Sequence, residues 1–329
     1  MTTIIVPSTT VYSPWVETRR NRCINPAFGA STSTGWNNWG PGTGMTGADS
    51  YVTDTDFGRA RRYTITAPGN GALTMSMALT ADPVDLATGD NITVSMFVRS
   101  TKAVTVTPTV QHYVRSTSTL VGAVNGSAVT LTPGEWTRVS ASGIVPETAT
   151  TSRLIITVAT NALLVAADTF DVTGSASELS PLGDYFDGST TGDDLTRYSW
   201  AGTANASASI QETRRAIQAS PTILLDLVSE RESRTVVHPV LGRPWPDVTL
   251  RDAGVRTGTL RLGFQGDDAE VLSKDAEDMH ALPDVFTIFT DERDTLAFSY
   301  VLNGRVTRRI EDESRDAWIV EVDYQEVTT

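Results

Sequence analysis

From residue 21 to about residue 180 the apolar positions recur every second residue. Leu73, Met75, Met77 and Leu79 alternate with small or polar neighbours. Ile92, Val94, Met96 and Val98 do the same, as do Val104 and Val106. A period of two is that of a strand with one buried face. Residues 153–159 (RLIITVA) are nearly continuous in apolar character and predict a central strand. Turn-forming clusters separate these runs: APGNG at 67–71, ATGDN at 87–91, VNGS at 124–127 and TPGE at 132–135. Many short strands between Gly/Pro/Asn turns, with no amphipathic helix among them, predict a β-sandwich or barrel.

Residues 218–329 are patterned differently. Strands are expected at 223–228, 235–238, 257–264, 285–289, 296–301, 305–310 and 317–327, with Trp318, Val320 and Val322 on one face of the last. One helix interrupts them at about 268–282. Its apolar positions Ala269, Leu272, Ala276, Met279 and Leu282 recur at three- and four-residue spacing, and Pro283 ends it. Acidic residues at its start suit the helix dipole. This half reads as a small antiparallel β-barrel or sandwich with one packed α-helix.

Two further segments flank or join these domains. Residues 1–20 carry Pro7, Pro14 and short β-branched runs and read as an extended N-terminal arm. Arg19, Arg20 and Arg22 make it either a solvated linker or an arm that packs on a neighbouring subunit. Residues 181–217 are a joint, acidic and Gly/Thr-rich, holding Tyr185, Phe186, Tyr198 and Trp200. Four aromatics in so short a span predict a joint pinned to a domain rather than a free linker. The predicted order is therefore arm 1–20, sandwich 21–180, joint 181–217 and barrel-plus-helix 218–329.

Net charge is −13, from 26 basic and 39 acidic side chains, which argues against a nucleic acid or an anionic membrane as partner. Residues 1–180 carry 11 basic and 12 acidic groups and residues 181–329 carry 15 and 27, so the acid surplus belongs to the second half. All basic residues but Lys102 and Lys274 are Arg. The single cysteine, Cys23, rules out an internal disulfide framework and reads as a buried thiol. The first residues lack a basic and an apolar region, so no signal peptide is expected. The longest apolar run, 162–167, is too short to cross a bilayer.

No stretch nominates catalysis. Residues 42–47 match G-x-G-x-x-G, but a dinucleotide site needs a strand before it and a helix after it, and neither is predicted there. His112, His238 and His280 are scattered, and no HExxH, GxSxG or Walker motif is present. A glycosidase would need two opposed carboxylates, which no motif singles out. The expectation is a protein that is not an enzyme and holds no cofactor.

Binding candidates are aromatic. Trp36, Trp39, Tyr51 and Tyr63 lie in or near a loop-rich stretch. Exposed rings stack on the apolar faces of sugars, and Asn37 and Asn38 would add hydrogen bonds. Trp39 is the candidate for an exposed platform, Trp36 for either the core or the site, and Tyr113 for a second exposed position. Trp136, inside an alternating strand, is expected in the core. The segment 305–316 (RVTRRIEDESRD) is either a solvated hairpin or a charged contact between subunits.

Several of these stretches resemble known families. The joint, FDG followed by an acidic spacer and W-x-G-x-x-x-x-S, resembles a segment of minor tail proteins from phages that infect actinobacteria. Residues 25–28 (NPAF) with Gly35-Trp36, 132–140 (TPGEWTRVS) and 168–172 (DTFDV) resemble the carbohydrate-binding-module-like jelly roll. In that family Asp168 and Asp171 would sit where a structural calcium is often held, although Gly29 replaces the usual acidic residue. The second half, with RTGTLRL before the helix and WIVEVDYQEV at the end, resembles the assembly domains of phage tail-tip proteins. The resemblance implies a virion protein of the tail tip or baseplate, made in the host cytoplasm, whose partners are other tail-tip proteins, copies of itself and a host cell-wall glycan. Two alternatives stay open: a secreted carbohydrate-active protein with a binding module, and a purely architectural tail protein whose jelly roll binds nothing.

Overall fold

The computed structural model describes residues 3–29, 39–69, 72–76, 86–114, 117–149, 151–158, 164–290, 296–311 and 316–327. The chain divides into a sandwich unit, Trp15–Thr213, and a terminal unit built from Met1–Pro14 with Arg214–Thr329. The fold is mainly β, with a single α-helix among the described residues.

β1 (Thr3–Pro7) belongs to the terminal unit. The sandwich unit holds β2 (Val16–Asn21), β3 (Thr46–Asp54), β4 (Gly58–Ala67), β5 (Leu73–Ser76), β6 (Asn91–Ser100), β7 (Thr105–Val114), β8 (Thr119–Asn125), β9 (Val129–Thr130), β10 (Thr137–Ile144), β11 (Thr151–Val158), β12 (Thr169–Glu178), β13 (Thr196–Trp200) and β14 (Ser209–Thr213). One antiparallel sheet runs β10-β6-β12-β4-β3 and faces a second, β5-β11-β7-β8, to which β9 adds on β7. The alternation in β6 sends Ile92, Val94, Met96 and Val98 into the core between the sheets. Register with β10 sets Met96 opposite Val139 and Val94 opposite Ala141, so both strands bury the same face. A slip of one residue would turn all of them outward, which is why the pattern specifies the register so strongly. Met75, Val106 and Val110 meet them from the second sheet.

The outer face of the first sheet is covered by the joint. Within it, Tyr185 lies edge-on to Phe57 at 5.7 Å and to Phe97 at 6.0 Å. Arg138 donates to the Gly183 carbonyl. The FDG…W stretch is thereby explained physically. Asp187 accepts from the Ser189 amide and hydroxyl (2.8 and 2.6 Å) and from the Tyr185 hydroxyl (3.1 Å), which folds the turn. A Cβ on Gly188 would lie 2.4 Å from the Trp200 indole, so only glycine lets that ring close over the backbone. β13, β14 and β2 form a small sheet of their own.

Residues 1–20 do not form a separate arm. β2 pairs with β14, and Arg19 makes a bidentate contact with Glu178 (2.8 and 2.9 Å) and a bond to the Asp184 carbonyl (2.8 Å). β1 is an edge strand of the terminal unit's sheet, and Ile5 there is fully buried. Asn21, also fully buried, donates to the carbonyls of Ser175 and Phe186 and accepts from the amides of Cys23 and Ser177, all within 3.0–3.1 Å. Its amide thus fills its capacity where β2, β12 and the joint meet. Cys23 lies beside it, its thiol pushed up to about 12 by burial.

The terminal unit adds β15 (Ile223–Glu230), β16 (Val236–His238), β17 (Asp247–Thr249), β18 (Thr257–Gln265), α1 (Ala269–His280), β19 (Val285–Thr290), β20 (Ser299–Ile310) and β21 (Ala317–Val327). Six strands form one antiparallel, curled sheet, β1-β19-β20-β21-β18-β15. α1 packs on β18, β20 and β21, burying Ala269, Ala276 and Met279, while Leu282 falls beyond its end and is partly exposed. The expected strands at 296–301 and 305–310 are one strand, β20, interrupted by a bulge between Leu302 and Val306 where Gly304 takes a φ of +140°. The charged segment at 305–316 is partly tied down within the unit. Arg308 stacks on Trp318 at 3.7 Å and donates to Ser273 Oγ and the Glu270 carbonyl, both at 3.0 Å. His280 is fully buried. Its Nδ1–H donates to the Ala276 carbonyl and its Nε2 accepts from the Tyr300 hydroxyl, each at 2.6 Å.

Candidate functional site

A cleft of about 480 Å³ opens at the β3–β4 edge of the sandwich unit, lined by Trp39, Pro41, Met45, Thr46, Gly47, Asp49 and Tyr63. That volume is in the range of small-ligand clefts, about 300–1,000 Å³. Each wall has a local cause. Gly40 exchanges two backbone bonds with Thr74 (2.8 and 2.9 Å), which pins the Trp39 segment to β5. Met45 donates to the Gly42 carbonyl (2.9 Å), closing a turn that feeds β3. The G-x-G-x-x-G run is therefore this turn, followed by a strand. A Cβ on Gly47 would sit 2.3 Å from Tyr63 Cζ and 2.6 Å from the Thr64 carbonyl, so glycine is what admits the tyrosine ring. Asp49 is the cross-strand partner of Tyr63.

Trp39 and Tyr63 pack at 5.4 Å and are 7% and 4% exposed. The indole Nε1–H of Trp39 and the hydroxyl of Tyr63 are both buried and have no hydrogen-bond partner among the described residues. Burial, with the Asp49 charge adding to it, raises the Tyr63 pKa. Asp49 itself is engaged by Arg61, whose Nε lies 3.0 Å from both carboxylate oxygens. It is the single carboxylate among the lining residues.

Of the residues singled out from sequence, Trp39 and Tyr63 meet in the cleft, whereas Tyr51 and Tyr113 lie outside its lining. Trp39 lines the cleft, but buried against Tyr63 rather than as an exposed platform: the bridge to β5 draws its segment onto the sandwich core. Trp36, Asn37 and Asn38 lie outside the described residues. Tyr113 is half-buried on β7, in the other sheet, and its hydroxyl donates to Gln111 Oε1. Tyr51 packs edge-on to Phe28 at 5.6 Å with the Arg59 guanidinium 4.4 Å from its ring centre. Gly47 and Asp49 were missed, and only the three-dimensional pairing of β3 with β4 joins them to Tyr63. Trp136 is not in the core. It sits on the outer face, where its Nε1–H donates to Asp54 Oδ2 (3.0 Å) under the Arg99 guanidinium.

The two calcium candidates are otherwise engaged. Asp171 receives Arg62 (2.6 and 2.7 Å) and Arg99 (2.8 and 3.1 Å), so its charge is matched by two guanidiniums and a cation has no vacant oxygen to bind. Asp168 accepts from the Val165 amide (2.8 Å) and Thr101 Oγ1 (3.4 Å). Among the described residues no group of three or more His, Cys, Asp or Glu side chains is placed to hold a metal. No helix among them is long and apolar enough to cross a membrane.

The terminal unit presents a second surface. β16 and β17 form a two-stranded hairpin in which every residue is exposed. Its apolar side chains stand in solvent: Leu241 is 103% exposed, Leu250 82% and Trp245 74%, with Val237 and Val248 facing each other across the pair. An isolated two-stranded hairpin is at best marginally stable in water, and exposed apolar patches are a feature of interaction surfaces. The open sheet edge, β15, also exposes Ile223, Leu225 and Val228.

No family model and no curated protein matches the chain. Among solved structures, it is similar to the enzymatically active domain of tailspike protein 4 of bacteriophage CBA120, with 12% identity, a TM-score of 0.35, and coverage of 48% of this chain and 21% of that one. It is similar to a family 11 carbohydrate-binding module of Clostridium thermocellum, with 12% identity, a TM-score of 0.34, and coverage of 53% and 100%. It is likewise similar to a family 16 carbohydrate-binding module, with 12% identity, a TM-score of 0.31, and coverage of 48% and 99%. The chain thus spans about a fifth of the tailspike domain but nearly all of each module.

Proposed function

We propose that this chain is a non-enzymatic structural protein of a phage tail tip, assembled into the virion in the host cytoplasm. The terminal unit docks against neighbouring tail-tip proteins and further copies of the chain, and the sandwich unit presents a surface for a host cell-wall glycan. The observation that carries the docking role is the β16–β17 hairpin. Leu241, Trp245 and Leu250 are large apolar side chains held in water, a cost that contact with another protein would relieve at roughly 25 cal/mol per Å² of apolar surface covered. The resemblance of the joint and of the second half to phage tail proteins supports the same reading. A cleft with a single, arginine-paired carboxylate supports binding rather than glycoside hydrolysis, which uses two. Many copies on one particle would raise avidity with no new contact.

Immunogold electron microscopy of phage particles from the source, with antibody against residues 218–329, tests the reading. Label at the distal tail is the expected result. Bare particles with free antigen in the medium would overturn it in favour of a secreted carbohydrate-active protein with a binding module. A Leu241→Ser/Trp245→Ser variant should fold normally and fail to enter particles.

A further inference from the structure

The Trp39–Tyr63 cleft holds two buried hydrogen-bond donors with nothing to donate to. A buried donor left unmatched forfeits the hydrogen bond it makes to water in the unfolded chain. Two orphans on one wall of one cleft point to an occupant that supplies two acceptors there. The remaining lining narrows its chemistry. Asp49 offers acceptor oxygens, Thr46 a hydroxyl, and Pro41 and Met45 apolar surface. An anionic ligand would face the Asp49 carboxylate, and the guanidinium that could have received it, Arg61, is already committed to Asp49. A cation would find Asp49 neutralised and both donors still unmatched. A neutral polyol meets all the conditions: once a small turn of the two rings brings their buried donors to the cleft wall, ring and hydroxyl oxygens accept from Trp39 and Tyr63, a hydroxyl donates to Asp49, and its C–H faces lie on the apolar wall.

We infer that the cleft is a binding site for an uncharged sugar residue, read through Trp39 Nε1–H, the Tyr63 hydroxyl and Asp49. The inference rests on the reading that the sandwich unit binds glycan, and it specifies where and of what charge. It predicts that neutral cell-wall oligosaccharides bind and uronic-acid oligosaccharides do not.

Titration calorimetry on the full chain tests this, with neutral gluco-, galacto-, manno- and arabino-oligosaccharides beside oligogalacturonate. The Trp39 indole resonance, assigned by its loss in Trp39→Phe, is followed by NMR. Tyr63→Phe keeps the ring and removes one donor. The expected result is binding of a neutral sugar, a shift of the Trp39 indole proton, an affinity about tenfold lower in Tyr63→Phe, and no loss of thermal stability in that variant. Equal binding of oligogalacturonate would overturn the assignment of an uncharged ligand while leaving glycan binding intact. Sugar binding indifferent to both Tyr63→Phe and Trp39→Phe would overturn the site while leaving glycan binding intact. No binding of any sugar, with purified host cell wall also failing to retain the protein, would remove the glycan reading and this inference with it.

Discussion

Trp136 and Trp39 belong to the same unit and are treated in opposite ways. Trp136 donates its indole N–H to Asp54, lies under Arg99, and sits among Phe57, Phe97 and Tyr185 in a cluster where Arg62, Arg99, Asp54 and Asp171 pair with one another. Trp39 is more deeply buried, yet among the described residues its N–H meets nothing, and neither does the hydroxyl of its neighbour Tyr63. Aromatic content and burial therefore do not tell a structural cluster from the proposed binding cleft. Satisfaction of the polar atoms does. The outer-face network has spent its hydrogen-bonding capacity on itself, whereas the cleft has capacity left over.

The contrast can be broken by substitution, beginning with the largest effect. Asp171→Ala would leave Arg62 and Arg99 facing each other without their shared carboxylate. Breaking a buried ion pair costs about 3–5 kcal/mol, and the partly exposed guanidiniums place this one near 3; urea denaturation should show it as a lower midpoint. Acid should act next, on the terminal unit. Burial brings the His280 pKa down to about 4. Its unfolded form binds a proton near pH 6.5. Between those values the unfolded state holds more protons, so stability falls as pH falls, by about 2–3 kcal/mol at pH 4.5 relative to pH 7. His280→Gln should flatten that part of the profile.

A matched pair of tyrosines gives the smaller effects. Tyr300→Phe removes the donor to His280 Nε2 and leaves that nitrogen buried and unmatched, at a cost of about 1–2 kcal/mol. Tyr63→Phe deletes a hydroxyl that bonds to nothing and should change stability by less than about 0.5 kcal/mol, or raise it. Equal losses from the two substitutions, measured by thermal unfolding, would mean that the Tyr63 hydroxyl is satisfied in the free protein and that the contrast is false.

Much of the fold was legible because its periodicities are local. Ile92, Val94, Met96 and Val98 on β6 and Val320, Val322 and Tyr324 on β21 recur at every second position, and the α1 stripe of Ala269, Ala276 and Met279 repeats at helical spacing. β1 was not, because five residues ending in proline become a strand only through pairing with β19, at the far end of the chain. β20 was split in two on paper because its bulge carries Asn303 and Gly304, residues that usually announce a turn. In the cleft, the sequence pointed to aromatics without saying which way they face. Asp49, Gly47 and Tyr63 converge through the β3–β4 register, and no spacing rule along one strand brings them together. The engagement of Asp171 is hidden for a related reason: Arg62 and Arg99 flank it from two different strands, so its neutralisation is invisible along the chain.

Ile5 pairs with Ile288, so the terminal unit is interrupted in sequence by the whole of the sandwich unit. During synthesis β1 emerges about 280 residues before its partner. At about 5–20 residues per second the ribosome keeps them apart for on the order of tens of seconds, long enough for the sandwich to fold while β1 waits unpaired. The arrangement also makes the sandwich an exchangeable cassette. A lineage could replace residues 15–213 by another module, leaving the terminal unit's sheet to be completed by the same two segments of chain.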